Sequence, residues 1–156
     1  MEEPVISEDL IFLMGKYEAR FPNDRYYVRT HMWCQPQERI YRLGFGAYAV
    51  RLLQDVYFLD WSIEPDTTVE FRQEIGEIES SKAISTIHAP ASGKILRFNH
   101  ELMQDPTAIN TDCYGRGWLF EIESNSIELL TAADYLKHLA GTWDETQQLI
   151  KGQMHD

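Results

Sequence analysis

From Val56 to Phe98 the chain is a series of short β-branched and aromatic segments, VYFLDWSI, IGEIE, ISTIHA and GKILRF, separated by the turn sequences EPDTT, SSKA and PASG. Segments this short, bounded by Gly, Pro, Asp and Ser, read as strands. Several of them joined by tight turns restrict the chain to antiparallel pairing, in a small sandwich or flattened barrel.

The flanks add a little helix. Residues 7–20, SEDLIFLMGKYEAR, carry a Ser7 cap and apolar Leu10, Ile11 and Met14, a spacing that predicts a short amphipathic helix. FPNDR breaks the pattern, so residues 1–24 are expected to form an N-terminal extension packed on the domain or on a partner. Residues 26–61 mix strands with one helical piece, GAYAVRLLQDV, which leads into VYFLDWSI. Asn99 is positioned to cap HELMQ, and Asp105-Pro106 ends it; YGRGW, 114–118, is a Gly-marked turn before WLFEIES in which Trp118 packs. Thr131 and Asp134 resemble a capping box opening a C-terminal helix, with Leu136, Leu139 and Trp143 on one face. The fold class expected is mainly β with short helices and a C-terminal helix.

With 156 residues, 44% hydrophobic and 12% aromatic, the chain suffices for one domain with its own core. No apolar run approaches the roughly 20 residues that span a bilayer. MEEPVISEDL is acidic where an export signal would be basic and then apolar, so a cytoplasmic location with no membrane partner is expected. Lys+Arg number 14 against 25 Asp+Glu, a net charge of −11, which argues against a nucleic-acid partner. It suits a soluble protein steered to basic docking faces. Cys34 and Cys113 form no CxxC pair and are expected to be free, buried thiols. His31 and Cys34 make a lone H-x-x-C, too little for a metal site, and no metal is expected.

The segment EIES-SKA-ISTI predicts a hairpin that buries Ile75 and Ile78 from one strand and Ile84 and Ile87 from the other. Lys82 then projects from a rigid tip, between the small residues Ser80, Ser81 and Ala83, where a modifying enzyme can reach its amine. Acylation removes the lysine charge. Taken alone, the stretch reads as an ordinary wet turn lysine. No catalytic constellation is evident, and no enzymatic activity of the chain's own is expected.

Several ordered motifs surround that lysine: Glu79-Ser80-Ser81-Lys82-Ala83-Ile84-Ser85, then Ala89-Pro90-Ala91-Ser92-Gly93, Asn99, Pro106, Asn110 and Tyr114-Gly115-Arg116-Gly117-Trp118. Upstream lie Thr30-His31-Met32-Trp33 and Leu43-Gly44-Phe45-Gly46-Ala47-Tyr48-Ala49. The set resembles the H-protein of the glycine cleavage system over roughly residues 26–140. The resemblance implies a barrel-sandwich hybrid of the lipoyl/biotinyl-carrier type spanning residues 25–150, with lipoate amide-linked to Lys82. The related biotin carriers have M-K-M, and Ser81 and Ala83 are the neighbours here.

The resemblance further implies a swinging arm that carries an aminomethyl group in glycine catabolism. Its partners would be a glycine decarboxylase, an aminomethyltransferase and a dihydrolipoyl dehydrogenase, with a lipoate ligase or transferase to install the arm on a monomeric carrier. Glu79 and Gly93 match positions used by lipoylating enzymes. Otherwise Glu79 is a solvated strand end and Gly93 a turn glycine with positive φ. His31, Met32, Trp33, Ser85 and Thr86 are the candidates for a cleft that receives the arm. Two of them depart from the family pattern, Met32 and Thr86 standing where carboxylates help hold the charged cargo. That departure suits a second reading: an H-like lipoate-binding protein that carries sulfur or electrons in a heterodisulfide-reductase-like sulfur-oxidation system.

Overall fold

The computed structural model describes the backbone of residues 9–154 and the side chains of residues 9–143. Two strands, β1 (Leu10–Met14) and β2 (Tyr17–Phe21), pair with each other alone. β3 (Tyr26–Val28), β4 (Met32–Gln37), β5 (Ile40–Phe45), α1 (Ala47–Leu53), β6 (Val56–Trp61), β7 (Thr67–Val69), β8 (Glu74–Ser80), β9 (Ile84–His88) and β10 (Gly93–Phe98) follow. α2 (Glu101–Gln104), α3 (Ala108–Thr111), β11 (Phe120–Glu123) and α4 (Ala132–Met154) complete the order. One sheet runs β3-β4-β5-β11-β10-β7 and another β6-β8-β9, every pairing antiparallel.

These two sheets enclose the main core. Cys34, Leu43, Ile95 and Ile122 from the larger share it with Leu59, Ile75, Ile78 and Ile87 from the smaller. Side chains on a strand alternate between faces, and β4 is buried on both. Met32 and Cys34 belong to the main core, whereas Trp33 enters a second one with Phe21, Tyr27, Tyr48, Tyr135 and Leu139. The second core is covered by the β1–β2 hairpin, α1 and α4.

The expected helix over residues 7–20 is instead this hairpin. Gly15 takes a left-handed φ of 65° and turns the chain, a conformation glycine adopts without steric cost. Burial then alternates along β1: Leu10, Phe12 and Met14 face inward, while Ile11 and Leu13 are 45% and 58% exposed. A short apolar run fits either period, and the aromatic cover of the second core selected the strand. Ser7, read as the cap, lies outside the described residues.

The hairpin of β8 and β9 forms as read, with one correction. Ile75, Ile78 and Ile87 are buried, but Ile84 is 65% exposed. A register shift between Glu74 and Gly76 lets Ile75 and Ile78 both point inward. Ile84 pairs with Glu79, the residue after Ile78, and so falls on the outer face. The capping expectations hold in part: α2 begins one residue later than read, with His100 at its cap position, and of the capping box only the bond to Thr131 Oγ1 is formed among the described residues. The buried Asn99 accepts from the Glu101 amide at 3.1 Å, and Thr131 Oγ1 accepts from the Asp134 amide at 3.2 Å.

Phe21 is fully buried, edge-on to Tyr27 and Tyr135 at 5.8 and 5.3 Å. Phe21→Ala is therefore expected to cost about 3–5 kcal/mol in urea unfolding. A loss below 1 kcal/mol would mean that the hairpin is not part of the cooperative unit.

Candidate functional site

β8 and β9 are joined by Ser81, Lys82 and Ala83, with the lysine in the middle. The turn is tied from several sides. The Ser80 amide donates to the Ala83 carbonyl at 2.9 Å. The buried Ser80 hydroxyl accepts from the amides of Lys82 and Ala83 at 3.3 and 3.2 Å. Behind the turn, the Ser81 amide donates to the Asp55 carbonyl at 2.8 Å, and the Asp55 amide donates to Ser81 Oγ at 3.2 Å. Asp55 follows Gln54, whose φ of 60° ends α1. Asn110 of α3 clasps this corner: its Oδ1 accepts from Val56 N at 2.8 Å, and its amide group donates to the Gln54 carbonyl.

The backbone under Lys82 is thus fixed while its side chain is exposed. Among the described residues Lys82 makes no ion pair, whereas Lys94 sits 3.9 Å from Asp66. Immediately below the turn, Phe58, Glu79 and Ile84 form one outward cross-strand row, followed by Asp60, Glu77 and Thr86. Phe58 and Ile84 are 46% and 65% exposed, and Tyr57 beside them is 60% exposed. Glu79 is half-buried in its row. The supporting roles of Ser80, Asp55 and Asn110 were not legible beforehand. The only signal was that Ser80 and Asn110 fall within the quoted motifs.

Gly93 is the first residue of β10, and its φ is not positive, contrary to the turn-glycine reading. What it serves is close approach: a Cβ there would lie 2.2 Å from the Glu123 carbonyl oxygen on β11.

The five cleft candidates are distributed differently from one another. Met32 is 3% exposed in the main core, and Trp33 is 1% exposed in the second. Trp33 Nε1 donates to the Cys113 carbonyl at 2.7 Å, and its indole lies over Gly44, where any Cβ would clash at 2.6 Å. Neither side chain lines an open surface. Ser85 is half-buried and Thr86 exposed on β9, the latter opposite Glu77. His31 occupies a left-handed position, φ 72°, before β4. Its Nδ1 is 2.9 Å from Tyr135 Oη, and its ring is 4.7 Å from Tyr48 and 5.9 Å from His138. Burial, and secondarily the nearby His138, push its pKa down to about 4. Burial likewise pushes the thiols of Cys34 and Cys113 up to about 12; both are free, but only Cys34 is buried as expected, Cys113 being half-buried.

The site is thus a hairpin tip that presents one lysine with no ion pair among the described residues, on a six-stranded and a three-stranded antiparallel sheet around a shared core. The glycine cleavage H-protein family model matches residues 25–142. A probable glycine cleavage system H protein from Natronomonas pharaonis is 37% identical over 122 residues, 76% of this chain and 96% of that protein. The glycine cleavage system H protein of Thermus thermophilus is 35% identical over 118 residues, 73% of this chain and 91% of its own length. The crystal structure of a glycine cleavage system H protein from Mycobacterium marinum superposes with a TM-score of 0.68 at 35% identity. It covers 77% of this chain and 99% of its own. The chain belongs to the glycine cleavage H-protein family, whose members are lipoylated carrier subunits rather than enzymes, built as barrel-sandwich hybrids.

The His31 environment gives a pH prediction. The unfolded chain takes up the histidine proton near about 6.5, the folded chain only near about 4. Between those values the unfolded state binds more protons, so stability falls as pH falls. The loss should reach at most about 3 kcal/mol, less where water reaches the ring. Urea unfolding at pH 7 and pH 5 should show it, and His31→Gln should flatten the slope. Parallel slopes in the two proteins would refute the assignment.

Proposed function

We propose that lipoate is amide-linked to Lys82 and that the loaded chain shuttles an aminomethyl group. The donor would be glycine decarboxylase, the acceptor aminomethyltransferase, and dihydrolipoyl dehydrogenase would restore the arm. The observation that carries the reading is the exposed Lys82 amine on a turn fixed by Ser80, Ser81 and Asp55. The residues present fit the group: small neighbours leave the amine open to a lipoate ligase or transferase, and among the described residues no carboxylate pairs with it. When attached, the lipoyl group supplies a disulfide that a partner opens by thiol–disulfide chemistry. The rigid hairpin holds the attachment point still, so the tether sets a high effective concentration at each docked enzyme.

Glu79 supports the same reading, because its carboxylate stands in the outward row beside Phe58 and Ile84, just below the turn. We read it as a contact for the modifying enzyme. Gly93 contributes through the close β10–β11 approach. We further read residues 25–150 as the carrier domain, with the β1–β2 hairpin an addition packed on it. A monomer in the cytoplasm is the expected state. Among the described residues no helix is long and apolar enough to cross a membrane.

One specific observation favours a second reading. Met32, at a position where the family motif has a carboxylate, is sealed in the main core, and Thr86, at the other, offers only a hydroxyl. An ammonium cargo desolvated without a carboxylate is costly, whereas a sulfur or electron cargo in a heterodisulfide-reductase-like system needs none. Glu77, opposite Thr86 on the outer face, supports the aminomethyl reading by providing an acid one strand away.

Intact mass separates the two. Lipoylated protein incubated with glycine and glycine decarboxylase should gain an aminomethyl adduct, and Lys82→Arg should gain neither lipoate nor adduct while melting at the same temperature. Lipoylation without loading would transfer the protein to the second reading. Lipoate retained by Lys82→Arg would overturn the site itself.

A further inference from the structure

We propose that the cavity between β5, β10 and the Gly115–Trp118 turn binds a phosphate-bearing small molecule. It measures about 590 Å³, within the range of small-ligand sites. In a chain with net charge −11, three arginines line it, Arg42, Arg97 and Arg116, together with His100, Trp118 and one carboxylate, Glu101.

The arginines are positioned before any ligand arrives. Arg42 and Arg97 both engage the single carboxylate of Glu121, Nε to Oε2 at 3.0 Å and Nε to Oε1 at 2.5 Å. Glu121 opens on the neighbouring cavity, so it anchors the two guanidiniums without filling this one. Burial would raise its carboxyl, but bonds to Arg97 and Arg42 outweigh that and hold it ionised, below the usual range. Both guanidiniums also lie over Trp118, at 4.1 and 5.5 Å from the ring centroid. Among the described residues neither donates a side-chain hydrogen bond to anything but Glu121, and each has five N–H donors.

The third arginine sits on a clamped loop. The buried Asn99 amide donates to the carbonyls of Arg116 and Trp118 at 2.7 and 2.8 Å, and the Arg116 amide donates to Asp112 Oδ2 at 2.9 Å. Its side chain meets Glu101 only at 3.5 Å, with both more than 60% exposed, a pair that yields readily to a stronger anion. Two guanidiniums sharing one carboxylate leave a local positive surplus. Guanidinium forks match tetrahedral oxyanions in geometry and are weakly hydrated. The −11 of the whole chain is screened beyond about 8 Å at physiological salt, so the local arginines decide.

The test is calorimetric titration of the full chain with inorganic pyrophosphate at physiological ionic strength, with citrate titrated in parallel. Expected is one saturable site for pyrophosphate, at least tenfold weaker in Arg97→Gln and in Arg116→Gln. Arg116 is an exposed loop position, so that variant should melt as the parent does. Absence of saturation, an affinity unchanged from the parent's in either variant, or citrate binding tighter than pyrophosphate would each overturn the proposal. None of these outcomes depends on the state of Lys82.

Discussion

The shared burial of Ile75, Ile78 and Ile87 with Leu43, Ile95 and Ile122 is the interaction on which the rest depends. An isolated two-stranded hairpin is marginal in water, yet Lys82 projects from the tip of one. Seating one face of β8 and β9 in the core makes the hairpin rigid and leaves its tip wet. The bulge at Glu74–Gly76 belongs to this solution: it keeps both Ile75 and Ile78 inside, and Gly76 makes room for the Trp61 ring, which a Cβ would approach at 2.7 Å. Ser80 then finishes the turn with backbone bonds that involve no side chain of Lys82.

The second core gives the molecule a different kind of support. Its stacking is aromatic, Tyr27 on Tyr135 at 4.9 Å and 10°, with Phe12 edge-on to Tyr48 and Trp143. Offset and edge-to-face pairs each add about 0.5–1.5 kcal/mol beyond area burial. Through this layer the β1–β2 hairpin and α4 are fastened to the same face of the larger sheet. His31 sits in the layer next to Tyr135, so its protonation would fall on the contact between α4 and the turn that leads into β4.

Much of this was legible in the sequence, for physical reasons. Turn residues at close spacing marked β6, β8, β9 and β10, but β7 was missed because Thr67 and Thr68 read locally as part of the EPDTT turn and are drawn into a strand by pairing with β10; the caps at Asn99 and Thr131 lie where short polar side chains precede apolar runs. The lysine tip followed from small residues between β-branched ones. The failures share a cause, since each was settled by a distant partner. The period of LIFLM was decided by Tyr48, Trp143 and the turn at Gly15; the face of Ile84 was decided by a bulge one strand away. Gly93 was read locally as a turn, but the constraint on it comes from Glu123 across the sheet. The motif offers Met32 and Trp33 as candidates for lining a cleft, while the first half of β4 is buried on both faces and leaves neither side free.

Position 32 shows how a family motif can change its physical role without changing the fold. Met32 pairs with Phe45 across β4 and β5, and both side chains belong to the main core. Burying a methionine there contributes about 1.5–3 kcal/mol, whereas an unpaired carboxylate in the same place would be destabilising by a comparable amount or more. Restoring the acid by Met32→Glu would therefore test the core before it tested any cargo. Thr86 is the informative position of the two: it is exposed, its cross-strand neighbour is Glu77, and a carboxylate there changes the charge near the lysine turn without entering the core. A carrier that keeps the hairpin, the corner at Asp55 and the Asn110 clasp but has no acid at either position has kept its means of presentation. What differs is the charge on that face, where Met32 has withdrawn into the core and Thr86 sets a neutral hydroxyl opposite Glu77.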